Sequence, residues 1–234
     1  MRPPAGCVPR LVTGILVAGS LAAQTPASSG YLDSSICAQC HREIAESYSR
    51  TGMGRSFRLA SGDVVLPEFA SEAFTHVGSG ERFSLARRSG KYFIRRDDES
   101  GKNSLELSVE YVIGSRDHAG SYLHRTADNK LVQFPVSWYS ENGGHWGMSP
   151  GYDMRGHQEF SREVSYRCMF CHNAYPEVEA RMAQWDSGTV YPDRLPQGID
   201  CQRCHGPGKD HVNAARRAAC SGWPMQRNGP PAVP

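Results

Sequence analysis

The sequence predicts an α+β protein in which short helices lie at both ends of a central antiparallel β insertion. Segments that combine Cys-x-x-Cys-His with helical apolar spacing occur near the start and toward the end of the chain. Between them, from about residue 81 to residue 139, apolar residues alternate with polar ones and turn residues recur, as is typical of paired strands. The 234 residues suffice for one domain or two small ones.

The first 23 residues have the pattern of a secretory signal peptide. Two arginines precede an apolar run from Leu11 to Ala23, and small residues near its end offer a cleavage site. A retained membrane anchor is the alternative, but the run is shorter than the roughly 20 apolar residues that a span needs. We therefore expect a periplasmic or otherwise exported protein, with no stable membrane span after cleavage of the leader.

The charge balance argues against a polyanionic partner. The whole chain has a net charge of +2, and residues 1–23 contain two arginines and no acidic residue. The remainder therefore has equal numbers of basic and acidic residues, 24 of each. Because no basic field is left, we expect neither nucleic acid nor anionic lipid as a partner.

Residues 33–52 predict the first helix. Asp33, Ser34 and Ser35 are candidate N-caps, and Gly52 is a candidate stop. Apolar or thiol side chains recur every four residues between them and would share one face, which consists of Ile36, Cys40, Ile44 and Tyr48.

The middle of the chain predicts strands. Residues 81–96 form a hairpin candidate that turns at Arg88–Gly90, and residues 104–114 alternate as one strand. Residues 121–139 predict a second hairpin with Ala-Asp-Asn at its tip. Residues 140–157 are rich in glycine and predict a loop.

The last part of the chain again predicts helices. Residues 162–177 predict a helix that ends near Pro176, and residues 176–185 a short amphipathic one. Residues 198–208 predict a brief helix that the sequence Gly-Pro-Gly ends. Residues 213–234 change in composition and predict an irregular tail.

The sequence Cys-x-x-Cys-His occurs three times, at residues 37–41, 168–172 and 201–205 (motifs one, two and three). Of the eight cysteines, six lie in these motifs, and the others are Cys7 and Cys220. Disulfides are expected in an exported protein and zinc is often held by cysteine pairs, but neither explains a histidine directly after every pair. One short interval separates motifs two and three, so we expect them to be neighbours.

Covalent haem explains all three residues of the motif. Each thiol adds to one vinyl group of the porphyrin, and the imidazole that follows becomes the proximal iron ligand. We therefore expect three haem c groups. The thioether residues would be Cys37, Cys40, Cys168, Cys171, Cys201 and Cys204, and the proximal ligands His41, His172 and His205.

Further side chains could complete the irons from the other side. His211 is the first distal candidate, because the Gly-Pro-Gly turn before it redirects the chain. His118 and His124 follow as imidazole candidates. Met53, between two glycines, is a thioether candidate, although methionine is more often a core residue. His76 lies in a polar segment and we assign it no role.

Longer segments resemble a known family. "CAQCHREIAESYSRTGMGRSF", "YVIGSRDHAGSYLHR", "WYSENGGHWGMSPGYD", "CMFCHNAYPE" and "GIDCQRCHGPGKDH" are similar to the multihaem cytochrome c domain related to the tetrahaem cytochromes of nitrifying bacteria. In soil bacteria this domain is often fused to tetratricopeptide repeats. The resemblance places a multihaem cytochrome c-like domain at residues 31–212 and implies that His211 is a distal ligand to another haem.

The chain departs from the family at two places. Where relatives often have histidine after the first haem helix, this chain has Thr51-Gly52-Met53. Relatives usually continue with at least one more haem motif, whereas residues 213–234 contain only Cys220 without a partner cysteine or a following histidine. A truncated or frame-shifted gene product and a genuine short form both explain this tail.

These features favour an electron-transfer protein over a catalyst. We expect an exported trihaem c-type cytochrome whose partners are other redox proteins. One alternative is a haem oxidoreductase that acts on a small nitrogen compound, with an open iron and a pocket that uses His145, Tyr152 or Arg155. The other is a zinc-binding module, which would be colourless.

Overall fold

The computed structural model describes residues 30–61, 66, 73–174 and 188–220. The predicted signal peptide, residues 1–23, lies outside the described residues, as does the amphipathic helix predicted at residues 176–185.

The described residues form short helices and two antiparallel sheets, which confirms the predicted α+β class. The helices are α1 (Ser35–Cys40), α2 (Arg42–Tyr48), α3 (Tyr166–His172), α4 (Gln202–His205) and α5 (Lys209–Cys220). The strands are β1 (Phe57–Leu59), β2 (Phe74–Thr75), β3 (Arg82–Arg88), β4 (Lys91–Asp97), β5 (Ser104–Val109), β6 (Tyr111–Ile113), β7 (Ala119–Arg125), β8 (Leu131–Tyr139) and β9 (His145–Met148).

The chain divides into two units. The first is Asp33–His205, which contains both sheets and helices α1 to α4. The second joins Met1–Leu32 with Gly206–Pro234, and its described part includes α5. Within this second unit the backbone N–H of Lys209, the first residue of α5, donates to the carbonyl oxygen of Gly30 at 3.0 Å.

The two sheets share an apolar core. The five-stranded sheet has the order β1-β6-β7-β8-β9, and the four-stranded sheet has the order β2-β3-β4-β5. Alternate side chains of β4, such as Tyr92 and Ile94, and of β8, such as Phe134 and Val136, belong to one buried cluster. This face-to-face packing leaves the opposite face of the five-stranded sheet for a different partner.

That opposite face packs against α3. Phe57, Tyr111 and Leu123 of the five-stranded sheet form a second buried cluster with Tyr166 and Met169 of α3. The β insertion is therefore the scaffold on which the helix with motif two is mounted.

Both predicted hairpins are confirmed, and two other predictions are wrong. Residues 104–114 are not one strand, because β5 and β6 lie in different sheets with Glu110 between them. Residues 140–157 are not only a loop. The segment that contains Trp146 and Met148 pairs with β8 as strand β9, and both of these side chains are buried.

The tail is partly helical. Helix α5 extends to Cys220, so the prediction of irregular structure is wrong for residues 213–220, while residues 221–234 lie outside the described residues. The cause is local: the segment Ala-Ala-Arg-Arg-Ala-Ala has high intrinsic helix propensity, which outweighs the change in composition that suggested a tail.

The β3–β4 turn offers a test of the hairpin. Ser89 and Gly90 both have positive φ, 49° and 76°, as a two-residue type I′ turn requires. Asparagine tolerates this conformation better than serine, so we expect Ser89→Asn to raise the free energy of unfolding by about 0.5 kcal/mol. Urea denaturation measures the change. Ser89→Ala is the control and should lower stability, and an equal effect of both variants would contradict the turn assignment.

Candidate cofactor-attachment site

Motif two lies on the outer face of α3. Helical spacing places Tyr166 and Met169 on the buried face, and Cys168, Cys171 and His172 on the exposed face. Because the two cysteines and the histidine are separated by three and four residues, they occupy neighbouring positions on one side of the helix. The same packing that anchors α3 therefore presents all three motif residues outward.

Motif one interrupts its helix. The sequence predicts one helix over residues 33–52, but α1 and α2 are separated at His41, whose φ and ψ are −114° and 46°. This prediction is wrong because the four-residue spacing that suggested it is not supported by burial: neither α1 nor α2 buries a side chain. The His41 N–H still donates to the Cys37 carbonyl oxygen at 2.9 Å, so the motif itself forms a helical turn.

Motif three forms a similar turn. The His205 N–H donates to the Cys201 carbonyl oxygen at 2.9 Å, and α4 ends at His205, directly before the Gly-Pro-Gly sequence that the prediction named as its stop. Gln202 is buried, whereas Cys204 and His205 are exposed. In both motifs one and three, the histidine is therefore held one helical turn from the first cysteine.

Motif three contacts motif one. The Ser34 hydroxyl donates to the Asp200 carboxylate at 3.1 Å, and Gln202 donates to the same oxygen, also at 3.1 Å. Asp200 directly precedes Cys201, and Ser34 lies three residues before Cys37. The carboxylate thus joins the start of one motif to the start of the other.

Motif three also contacts motif two, as the short interval between them led us to expect. The Arg203 guanidinium donates to the carbonyl oxygen of Asn173, the residue after His172, at 3.2 Å. It also lies over the Phe170 ring, 5.0 Å from the centroid. Asn173 is itself buried and donates to the Pro196 carbonyl oxygen at 2.6 Å.

The segment after α2 completes this arrangement. The Met53 carbonyl oxygen accepts the N–H of Ile199, two residues before Cys201, at 3.1 Å. The Ser56 hydroxyl donates to the His172 carbonyl oxygen at 3.1 Å. Met53 follows motif one in the chain, yet its backbone is attached next to motif three, and its side chain is 53% exposed.

The six motif cysteines are free thiols that differ in environment. Cys40, Cys168, Cys171 and Cys204 are exposed, whereas Cys37 and Cys201 are half-buried. Burial raises the pKa of the Cys37 thiol above its usual value, and the neighbouring Cys201 and Asp200 raise it further. Although His172 as a whole residue is exposed, partial desolvation of its imidazole lowers the pKa of His172, so the ring favours the neutral form that can bind a metal.

The thiol environments predict unequal reactivity. In the reduced chain without cofactor, we expect Cys37 to react with iodoacetamide at pH 8 several-fold more slowly than Cys40, because only the thiolate is nucleophilic. Peptide mass spectrometry after timed quenching measures both rates, and Cys168 is the exposed reference. Equal rates at Cys37 and Cys40 would contradict the burial of the Cys37 sulfur.

The candidate distal residues lie in different places. His118 is exposed in the β6–β7 turn. His124 lies on β7, and its Nδ1 is 2.9 Å from the Ser108 carbonyl oxygen, which assigns the ring proton to Nδ1 and leaves Nε2 as an acceptor. Strand alternation places His124 on the face opposite Leu123, hence opposite the face that packs against α3. His211 is exposed on α5, in the second unit.

His76 is not the polar loop residue that the sequence suggested. It is 5% exposed, and its Nε2 lies 3.1 Å from the Asp153 carboxylate. Its ring centroid is 5.9 Å from that of His157, whose Nε2 lies 2.6 Å from the Glu81 carboxylate. No local sequence pattern indicates this cluster, because residues about 75 positions apart form it.

The residues named for a catalytic pocket have separate surroundings. His145 stacks on Tyr139, with ring centroids 5.5 Å apart, and Tyr152 is fully buried with its hydroxyl bonded to the Gln133 carbonyl oxygen. Arg155 lines an open polar cleft of about 760 Å³ beside Glu81.

Two further findings concern the described part of the chain alone. It contains no group of three or more histidine, cysteine, aspartate or glutamate side chains arranged to hold a metal ion. None of its helices has the length and apolar character that crossing a membrane requires.

Comparison with known proteins finds no family model that matches the chain, and no curated protein or solved structure with significant similarity to it.

Proposed function

We propose that this chain is an exported trihaem c-type cytochrome that transfers electrons between other redox proteins. The observation that carries the proposal is the presentation of three Cys-x-x-Cys-His motifs on helical turns, with free thiols and exposed histidines. Export rests on the leader sequence, and it agrees with the chemistry, since covalent haem attachment takes place outside the cytoplasm.

The described residues fit the group. A porphyrin needs two reachable thiols, one imidazole beside them, and apolar side chains against its faces. All three imidazoles are exposed, and in each motif at least one thiol is exposed while the other is exposed or half-buried. Helices α1 and α2 bury none of their side chains, and Ile44 is 64% exposed. The surface of these two helices is not part of the protein core, so an apolar cofactor could pack against it.

Each motif would hold one haem through its own residues. Both cysteines of each motif would form thioethers, and His41, His172 and His205 would be the proximal iron ligands. When bound, haem supplies a one-electron couple between ferric and ferrous iron. Distal ligation by His118, His124, His211 or Met53 remains a proposal for each position separately.

The contacts around motif three would keep the attachment points at constant spacing. The Asp200 carboxylate ties it to motif one, and the Arg203 guanidinium ties it to motif two. Both interactions are half-buried, and each involves a charged group, so they are stronger than neutral hydrogen bonds. Fixed spacing between haem attachment points suits a protein that transfers electrons and does not convert a substrate.

The test is covalent haem stoichiometry. The full chain, with its leader, is produced in a host that matures c-type cytochromes, and the product is measured by pyridine haemochrome assay and intact mass. We expect a mass gain of three haems. Replacing both cysteines of any one motif by serine should remove one haem, or about one third of the haemochrome absorbance.

Cys220→Ser is the matched control and should retain three haems, because Cys220 has no motif around it. A colourless product that contains zinc, or a pigment that acidified organic solvent extracts, would refute covalent haem. Shifts of the Soret band with nitrite, cyanide or carbon monoxide would instead indicate an open iron and favour an oxidoreductase.

A further inference from the structure

A serine, a histidine and an aspartate form a continuous row of hydrogen bonds beside the four-stranded sheet. Ser79 and His76 lie in the turn between β2 and β3, and the Ser79 Oγ is 2.8 Å from the His76 Nδ1. The other ring nitrogen, Nε2, is 3.1 Å from a carboxylate oxygen of Asp153, which lies in the segment after β9. A hydroxyl, a base within hydrogen-bond reach and a carboxylate that orients the base are the groups that activate a serine as a nucleophile.

The hydrogen bonds around His76 place its ring proton on Nε2. The backbone N–H of Ser79 donates to Nδ1 at 3.3 Å, and a backbone N–H can only donate. Nδ1 therefore has its lone pair toward Ser79, and the proton on Nε2 is donated to the Asp153 carboxylate. This tautomer is the one that can take a proton from the Ser79 hydroxyl.

The β2–β3 turn holds this histidine in place. The N–H of His76 donates to the Glu81 carbonyl oxygen at 2.9 Å, and the His76 carbonyl oxygen accepts the N–H of Gly80 at 2.8 Å. The backbone at Gly78 lies against the ring, where an added Cβ would be 2.9 Å from the His76 Cε1. Because His76 is buried and both of its backbone groups are bonded within the turn, its ring keeps a constant position beside Ser79.

The Glu81 carboxylate is a second acceptor for the same hydroxyl. Its Oε2 lies 3.1 Å from the Ser79 Oγ, so rotation of the hydroxyl can direct its hydrogen to Glu81 or to His76. Burial raises the pKa of Glu81, but hydrogen bonds, of which that from Arg96 is the strongest, and the charge of His157 hold it below 4.5. The carboxylate is therefore a weaker base than an imidazole, and the imidazole is also the nearer acceptor.

Ser79 lines the open polar cleft of about 760 Å³, and so do the guanidinium groups of Arg96 and Arg155. A guanidinium can stabilise the negative charge that develops on a carbonyl oxygen when a hydroxyl attacks its carbon. Four carboxylates also line the cleft, those of Glu81, Asp98, Glu99 and Glu159. Because these carboxylates outnumber the two guanidinium groups, an uncharged or cationic substrate fits the cleft better than an anionic one.

The geometry points to a serine hydrolase site in which Ser79 is the nucleophile, His76 the general base and Asp153 its positioning residue. The substrate class is a small carboxylic ester that is uncharged or cationic. This activity goes beyond the proposed electron transfer and does not depend on haem, since every group that it uses belongs to the chain.

The reaction consumes water and transfers no electrons. The hydroxyl proton of Ser79 moves to the His76 Nδ1 as Oγ forms a bond to the acyl carbon and the carbonyl electron pair moves onto its oxygen. When that pair returns, the bond from the acyl carbon to the alcohol oxygen breaks, and the alcohol leaves with the proton from Nδ1. Water then attacks the acyl-serine ester by the same steps, which releases the carboxylic acid and restores the hydroxyl and the neutral ring.

The experiment uses the full mature protein and two probes, p-nitrophenyl acetate as substrate and diisopropyl fluorophosphate as label. The wild type is compared with Ser79→Ala, Ser100→Ala and Asp153→Asn. Ser100 lines the same cleft and its hydroxyl donates to the Asp98 carboxylate, so Ser100→Ala is the matched control for loss of a cleft serine. The midpoint of thermal unfolding of each variant separates loss of activity from loss of the fold.

We expect the wild type to hydrolyse p-nitrophenyl acetate and to gain one diisopropylphosphoryl group, which peptide mapping locates at Ser79. Ser79→Ala should lower kcat/KM by about 100-fold or more and take up no label, whereas Ser100→Ala should behave as the wild type. Asp153→Asn should lower kcat by about 10-fold with little change in KM. The acid limb of its rate–pH profile should also move to lower pH, because the imidazolium loses a neighbouring carboxylate.

A wild type that takes up no label at Ser79 would refute the site, and this measurement needs no variant to fold. Folded Ser79→Ala with the activity of the wild type would refute it equally. An Asp153→Asn profile with an unchanged acid limb would exclude Asp153 as the positioning residue. Haem stoichiometry is measured separately, so failure of the hydrolase site and failure of the proposed electron transfer are distinguishable.

Discussion

Gly198→Ala is expected to lower the free energy of unfolding by about 3 kcal/mol. Gly198 has a φ of 64°, and a Cβ atom there would overlap the carbonyl oxygen of Gly54 and lie 2.8 Å from its carbonyl carbon. Both neighbours are backbone, so no side chain can rotate away. The clash falls where the segment after α2 contacts the segment that leads into motif three, beside the Gly198 N–H bond to Phe57 at 2.7 Å.

A control variant at Gly101 separates the cost of backbone strain from the cost of steric overlap. Gly101 has nearly the same φ, 67°, and an added Cβ there meets nothing within 4 Å. Gly101→Ala should therefore cost about 1 kcal/mol, which is the cost of the left-handed backbone alone. Urea unfolding followed by circular dichroism measures both variants. Equal losses would show that the chain does not approach itself at Gly198 as closely as the structure indicates.

Glu81→Gln is expected to lower the free energy of unfolding by a similar amount, about 3 kcal/mol. The carboxylate accepts hydrogen bonds from Arg96 at 2.8 Å and from Ser79 at 3.1 Å, and it pairs with His157 at 2.6 Å. The side chains of Glu81 and His157 are 9% and 2% exposed. Glutamine keeps the shape but removes the charge, which leaves Arg96 with only Glu159, at 3.4 Å, as an ion-pair partner among the described residues.

Lys130 is the control for an ordinary ion pair. It lies 3.0 Å from Glu163 with a side chain 28% exposed, so Lys130→Met should cost less than about 1 kcal/mol. If Glu81→Gln costs no more than Lys130→Met, the buried network around Glu81 does not stabilise the fold more than an ordinary ion pair does.

The same carboxylate predicts how stability depends on pH. Burial opposes its ionisation, but hydrogen bonds from Arg96 and Ser79 and the charge of His157 hold the pKa of Glu81 below its ordinary value of 4.5. A lowered pKa in the folded state means that this stabilisation is present above pH 4.5 and is lost as pH falls through the folded-state pKa. The difference in stability between wild type and Glu81→Gln should therefore shrink below pH 4.5, and a difference that grows there would contradict the sign.

The sequence predicts those parts of the fold that depend on neighbouring residues. Hairpins at Ser89-Gly90 and near Asn129 follow from turn residues between alternating strands, and α4 ends directly before the predicted glycine. Two of the failures have a common cause, since each required knowledge of burial, whereas helix α5 was missed although its cause is local. Spacing alone joined α1 and α2, although neither has a buried face, and glycine content alone hid the strand that buries Trp146.

For the candidate site, the sequence by itself determined which residues the proposed attachment would use, because cysteine and histidine at fixed spacing form one unit within a single helical turn. Only the tertiary structure decided which motifs touch, through Asp200, Arg203 and Asn173. The physical reason is the separation along the sequence of the residues that interact. Motif geometry is set by backbone bonds over four residues, whereas these contacts join residues 30 to 166 positions apart, whose proximity depends on the packing of the whole unit.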